Sequence, residues 1–192
     1  MQTQTIKTEL LINGKKVIIG HQFLEDIVRD IPDIKENQEV FNSLVLSDNP
    51  DVREYLTRVD NLSKKSIHIL LKDTNQEVIE GVLSNSDLAK LISEEALLKI
   101  IDTDNTKLLM TIASNIDDYV KCDLCKIVKI LANHKSASVR YNLVRYWSSH
   151  SVPVKILKQL SKDKDIDVAK AAIDALEKKD NLTLDIFYRY LK

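Results

Sequence analysis

The sequence predicts an all-α fold: a right-handed α-solenoid of about five helical hairpins, with a small N-terminal β-hairpin as its cap. Three observations predict it. The chain holds three Gly and three Pro in 192 residues, a composition that favours helices joined by short connections. A weak motif recurs along most of the chain: an apolar stretch, a polar break containing Asp or Asn, then an apolar residue that opens a second amphipathic stretch. Taking Val52, Val78, Leu108, Val139 and Val168 as anchors, the spacings are 26, 30, 31 and 29 residues. A period of this size means stacked hairpins, each burying its neighbour's apolar face.

The elements follow in order. Between residues 5 and 20, Ile6, Leu10, Ile12, Val17 and Ile19 fall on one face of two strands joined at Asn13–Gly14. Asn-Gly suits a type I′ turn, whose central residues both need positive φ. That register pairs Ile12 with Lys15, Leu10 with Val17 and Thr8 with Ile19. An isolated hairpin is marginal in water, so it lies over the first repeat as a lid or offers a strand edge to a partner. Residues 21–30 read as a short helix with Phe23, Leu24, Ile27 and Val28 inward, ending near Ile31–Pro32 because the residue before Pro resists the helical region. Residues 1–35 thus form the cap and 36–192 the repeat domain.

Within the repeats, the positions four after the anchors are Leu56, Val82, Ile112, Leu143 and Ala172. An apolar pair at i and i+4 makes one helix face. Leu70, Leu131 and Leu160 sit eight residues before an anchor, and Leu46 and Ile101 six and seven before theirs, as the core of the first helices. Asp, Asn, Thr and Ser crowd the junctions, where helix starts prefer them. Leu184, Phe187, Tyr188 and Leu191 give a short last helix as a C-terminal cap.

The last full unit has Pro153 at its start, Leu157 and Leu160 on one face, Asp163, and then Val168. It resembles the leucine-rich repeat variant family and the related HEAT-like helical repeats. There a Pro opens the first helix, leucines face the core, and an Asp precedes the Val-Arg that begins the second. Asp48–Val52–Arg53 and Asn133–Val139–Arg140 match in part, and the resemblance covers roughly residues 40–180. It implies a HEAT-like repeat fold rather than an activity. The spacings here are longer and less regular than those of the leucine-rich variant. Some relatives hold an iron–sulfur centre in an N-terminal cysteine cluster. The first cysteine here is Cys122, so no cofactor is carried over.

No stretch has the apolar length needed to span a bilayer, and the N-terminus lacks the basic and apolar regions of a signal peptide. With two cysteines and no disulfide framework, the expected location is the cytoplasm. The net charge of −1 hides a partition. Residues 1–120 hold 13 basic against 21 acidic residues, a net of −8, and residues 121–192 hold 15 against 8, a net of +7. A basic end attracts an acidic partner or promotes head-to-tail self-association. The plainer reading is a pair of solvated faces of differing sign.

Cys122 and Cys125 form a CxxC, but a redox pair sits at a helix N-terminus after a strand, and a metal needs two more ligands. They read as two small apolar residues on one face of a first helix, Cys125 aligning with Val154. His21, His68, His134 and His150 show no ligand spacing, and no phosphate-cradling Gly-rich loop exists. No catalytic residue, metal or cofactor is expected. The densest aromatic–basic stretch is Arg140–Trp147. Arg53, Tyr55, Arg140, Tyr141, Arg145 and Trp147 are the expected partner-binding residues, on a concave wall lined by second helices. Such a wall anchors a peptide, grips phosphate or stacks on a base. The opposing reading puts Tyr146 and Trp147 in the core and pairs the arginines with carboxylates. The expected function is a non-enzymatic protein-binding scaffold or adaptor. The alternative is nucleic-acid binding through the basic C-terminal half, against which a pI of about 6.4 argues. A self-assembling structural module is the third class.

Overall fold

The computed structural model describes residues 10–17, 21–59, 61–145 and 153–190. The chain divides into two compact units, Met1–Ile92 and Ser93–Lys192.

In the first unit, β1 (Leu10–Ile12) pairs antiparallel with β2 (Lys15–Val17), Leu10 opposite Val17 and Ile12 opposite Lys15. The turn between them holds Asn13 at φ 50° and Gly14 at φ 73°, a region Gly enters freely and Asn tolerates. Ile12 is exposed rather than inward, and the Thr8–Ile19 pair lies outside the described residues. Among the described residues six α-helices follow: α1 (His21–Asp30), α2 (Gln38–Leu44), α3 (Pro50–Leu56), α4 (Lys64–Leu70), α5 (Gln76–Ser84) and α6 (Ser86–Ala89). Helix α3 packs on α1, α2 and α5, and α5 on α4 and α6. Val28 of α1 is buried, while Phe23, expected inward, is 49% exposed.

The second unit contains α7 (Glu94–Ile101), α8 (Thr106–Ser114), α9 (Leu124–Ala132), α10 (Ala137–Arg145), α11 (Val154–Leu160) and α12 (Ile166–Tyr190). Helix α10 packs against both α8 and α12, and α11 against both α9 and α12. Helix α12 runs unbroken through the segment where a separate last helix was expected. A 3-10 turn at Ile116–Asp118 leads into Tyr119, which is fully buried. Burial pushes its phenol well above the ordinary value. Among the described residues no helix is long and apolar enough to cross a membrane.

The periodic positions form the core. All five anchors and all five residues four places after them are buried. The first-helix register needs one correction. Leu46 is exposed, and Leu44, eight before Val52, takes the core place. The expected Ile101 is buried, and Ile100, eight before Leu108, is buried beside it, so every first helix meets the core at the same offset. The physical reason is that helix α2 ends at Leu44, which carries Leu46 into the junction.

The junctions share one side-chain template. The residue five before each anchor accepts the backbone N–H two residues on. Ser47 accepts from Asn49 (3.3 Å), Asp73 from Asn75 (2.8 Å), Thr103 from Asn105 (3.4 Å), His134 from Ser136 (3.1 Å) and Asp163 from Asp165 (2.9 Å). Asn49, Asn75, Asn105 and Asp165 then cap the helices they precede, accepting N–H groups of the first turn. These donors have no partner within the helix, so a short polar side chain just ahead satisfies them. Helices of seven to nine residues, such as α3 and α5, are too short to stand alone; caps and packing together hold them.

Gly81 shows how closely two of them approach. A Cβ there would lie 2.8 Å from Thr57 Cβ, and Asn85 Nδ2 donates to the Thr57 carbonyl (2.9 Å). Gly81 therefore lets α5 meet the end of α3.

Candidate functional site

Two of the expected wall arginines are drawn into the protein. In the first unit Arg53, on α3, donates Nε and Nη2 to the Asp73 carboxylate (2.6 and 2.9 Å) and Nη1 to the Ser47 carbonyl (2.6 Å). In the second unit Arg140, on α10, donates Nε and Nη2 to Asp163 (both 2.7 Å) and Nη1 to the carbonyls of His134 and Lys135 (2.7 and 3.0 Å). The two sets are the same device. Each guanidinium follows an anchor, holds the carbonyl five before it, and grips the Asp that opens the next junction. The planar fork of Arg matches a carboxylate with two parallel bonds. The side chains of Arg140 and Asp163 are 6% and 9% exposed, so Arg140 has little surface to offer a partner. This corrects the expectation for Arg53 and Arg140: they tie junctions together.

The pairing sets the charge of the carboxylates. The Arg140 guanidinium holds Asp163 below the usual carboxylate range, against the opposing effect of burial. At Asp73 burial is the largest influence and pushes upward, but the Arg53 guanidinium and the Asn75 N–H outweigh it and the carboxyl ends below its ordinary value. Asp104, at φ 54°, meets Lys135 and His134 Nε2 (2.8 Å), and Lys135 first, then His134, lowers it. Because His134 Nδ1 accepts the Ser136 N–H, the neutral ring carries its hydrogen on Nε2, towards Asp104.

Tyr141 and Arg145 are differently placed. They lie one turn apart on α10, and Arg145 Nη1 donates to the Tyr141 hydroxyl (2.6 Å) with its guanidinium carbon 5.7 Å from the ring centroid. They border a groove of about 710 Å³ between α10 and α12, together with Val144, Lys170, Asp174 and Lys178. Val144 is buried, Arg145, Lys170, Asp174 and Lys178 are exposed, and Ala171 and Ala175 are half-buried in the same groove. Sequence reasoning missed the α12 side, although a signal existed. Lys170 and Asp174 stand two and six places after Val168, as Tyr141 and Arg145 do after Val139.

In the first unit the same two offsets hold Glu54 and Arg58, an exposed pair at 3.2 Å. Beside them Tyr55 donates its hydroxyl to the Arg29 carbonyl (3.2 Å) at a pocket of about 130 Å³ bordered by Arg29, Asp51, Glu54 and Arg58. Trp147 lies outside the described residues.

The CxxC is split by the start of α9. Cys122 precedes the helix and Cys125 is its second residue, exposed rather than on an apolar face. Val154, its counterpart, is exposed too. Burial, then the nearby Glu94 carboxylate, push the Cys122 thiol up to about 11, so it stays protonated at neutral pH and is a poor nucleophile. Among the described residues no group of three or more His, Cys, Asp or Glu side chains is arranged to hold a metal ion.

Searches against protein-family models, curated proteins and solved structures found no match to this chain.

Proposed function

We propose that this protein is a non-enzymatic scaffold, a right-handed α-solenoid of about five HEAT-like hairpins capped by the N-terminal β-hairpin, that binds a protein partner along its second helices. The observation that carries the reading is the groove between α10 and α12. It has buried Val144 and small Ala171 and Ala175 within it, and charges of both signs along it from Arg145, Lys170, Asp174 and Lys178. An apolar strip bordered by mixed charge suits a peptide segment that carries side chains of both kinds. Arg145 stacked on Tyr141 supplies a preorganised Arg–aromatic anchor, a type enriched among residues that dominate binding energy. The repeated junction template supports the solenoid, since one hydrogen-bonding scheme serves all five hairpins.

The test is affinity capture from a lysate of the source cells, with and without nuclease, using the wild-type chain and a Tyr141→Ala/Arg145→Ala variant. The expected result is a set of proteins that survives nuclease and is lost with the variant. Recovery of the same set by both forms would remove the groove from consideration, and recovery of nucleic acid would favour the basic half as a nucleic-acid surface.

A further inference from the structure

The outward faces of α9 and α11 carry a second surface. Over residues 125–131 and 154–160 the exposure pattern repeats place for place at a 29-residue offset. Ile127, Val128 and Leu131 are buried, as are Ile156, Leu157 and Leu160. Lys126 and Lys129 are exposed, as are Lys155 and Lys158. The two helices pack on each other, and Gln159 Nε2 donates to Asn133 Oδ1 (3.0 Å) across them. Neither helix contains a single Asp or Glu.

The result is a grid of ammonium groups. Lysines three apart on a helix have Cβ atoms about 5–6 Å apart, and packed helices stand about 8–10 Å apart. Lys126 is paired with Glu94 at 3.1 Å. Lys129, Lys155, Lys158 and Lys162 make no ion pair or side-chain hydrogen bond among the described residues. Ile130, at 38% exposure, and Val154, at 44%, lie among them.

We infer that this face docks an acidic protein segment carrying apolar side chains, with its carboxylates on Lys129, Lys155 and Lys158 and its apolar groups on Ile130 and Val154. The composition of the face selects that partner. Neither helix has an aromatic residue on which a base would stack. Neither has an Arg to fork onto phosphate. A phosphate backbone would gain nothing from Ile130 and Val154, whereas a segment with both carboxylates and apolar side chains uses them together with Lys129, Lys155 and Lys158. Exposed Lys–carboxylate pairs are individually weak, so the lysines steer and orient the segment while the apolar contacts slow its release.

The experiment is fluorescence anisotropy of a labelled synthetic peptide of repeating Glu-Leu-Leu-Glu units against the full chain. The variants are Lys129→Glu/Lys158→Glu and the groove variant Tyr141→Ala/Arg145→Ala, each checked for unchanged helicity by circular dichroism. Charge reversal is expected to weaken peptide binding by about tenfold or more, with salt weakening the wild type further. The groove variant is expected to bind the peptide as the wild type does, which separates this face from the groove. Equal affinity of the wild type and the charge-reversed chain would overturn the inference. So would tighter binding, lost with the same reversal, of a short duplex DNA or of phosphatidylserine vesicles.

Discussion

The arginines divide by what stands across from them. Arg53 and Arg140 each face an Asp in the next junction and a carbonyl in their own, whereas Arg145 lies over the ring of Tyr141 at the groove. Arg140→Ala should lower unfolding stability by about 2–3 kcal/mol, because it removes several hydrogen bonds to a charged group and leaves Asp163 poorly solvated. Arg145→Ala, exposed on its helix, should change stability by less than about 0.5 kcal/mol. Urea unfolding followed by circular dichroism measures both, and equal effects would contradict the assignment of Arg140 to the junction. A trace of this division was legible. Arg follows an anchor only where the next junction opens with Asp; Ile79 and Leu109 stand there ahead of Thr103 and His134. Reading the trace requires knowing that residues 20 and 23 apart meet, which only the packing of hairpins supplies.

At the scale of the helices, periodicity placed the second-helix faces correctly because a buried i, i+4 pair is a local property of the sequence. The first helices were harder. Leu44 and Leu46 are equally apolar, and only the end of α2 at Leu44 decides which one reaches the core. Phe23 belongs with them: it lies on α1, which packs on α3, yet its side chain is exposed. Gly81 sits inside α5, where local propensity argues against it by about 1 kcal/mol relative to Ala. The close approach of Thr57 reverses the sign. Gly81→Ala is expected to destabilise the protein by about 1–3 kcal/mol, as overpacked contacts do, and to lower its melting temperature in a thermal scan. A raised melting temperature would show that propensity outweighs the contact.

For the molecule as a whole, the lowered carboxylates define a response to acid. Asp73, Asp104 and Asp163 all titrate below their ordinary values when folded. In the unfolded chain they titrate near about 3.9. Their stabilising contribution is therefore present above roughly pH 4 and is lost as pH falls through the lower folded values. The urea midpoint should fall between about pH 5 and pH 3, and Asp163→Asn should flatten that fall while lowering the plateau above it. A wild-type midpoint that holds steady across this range would refute the linkage. The partition of charge belongs to this scale too: a net of +7 over residues 121–192 reflects in part the lysines of α9 and α11, with no acidic residue between them on either helix.

Composition and period by themselves determined that the chain is helical, where its anchors lie and which polar residues open its helices, because these follow from propensity, from spacing along one helix and from donors at a helix start. The tertiary structure alone decided which charges are available. Arg140 and Arg145 are five residues apart on one helix, and the place of Arg140 directly after an anchor does not by itself say what its side chain meets. One turns towards a carboxylate brought up by the next hairpin, and the other turns towards a groove that exists only because α12 packs alongside. Burial of a charge is a property of what surrounds it, and those surroundings come from residues distant in the chain.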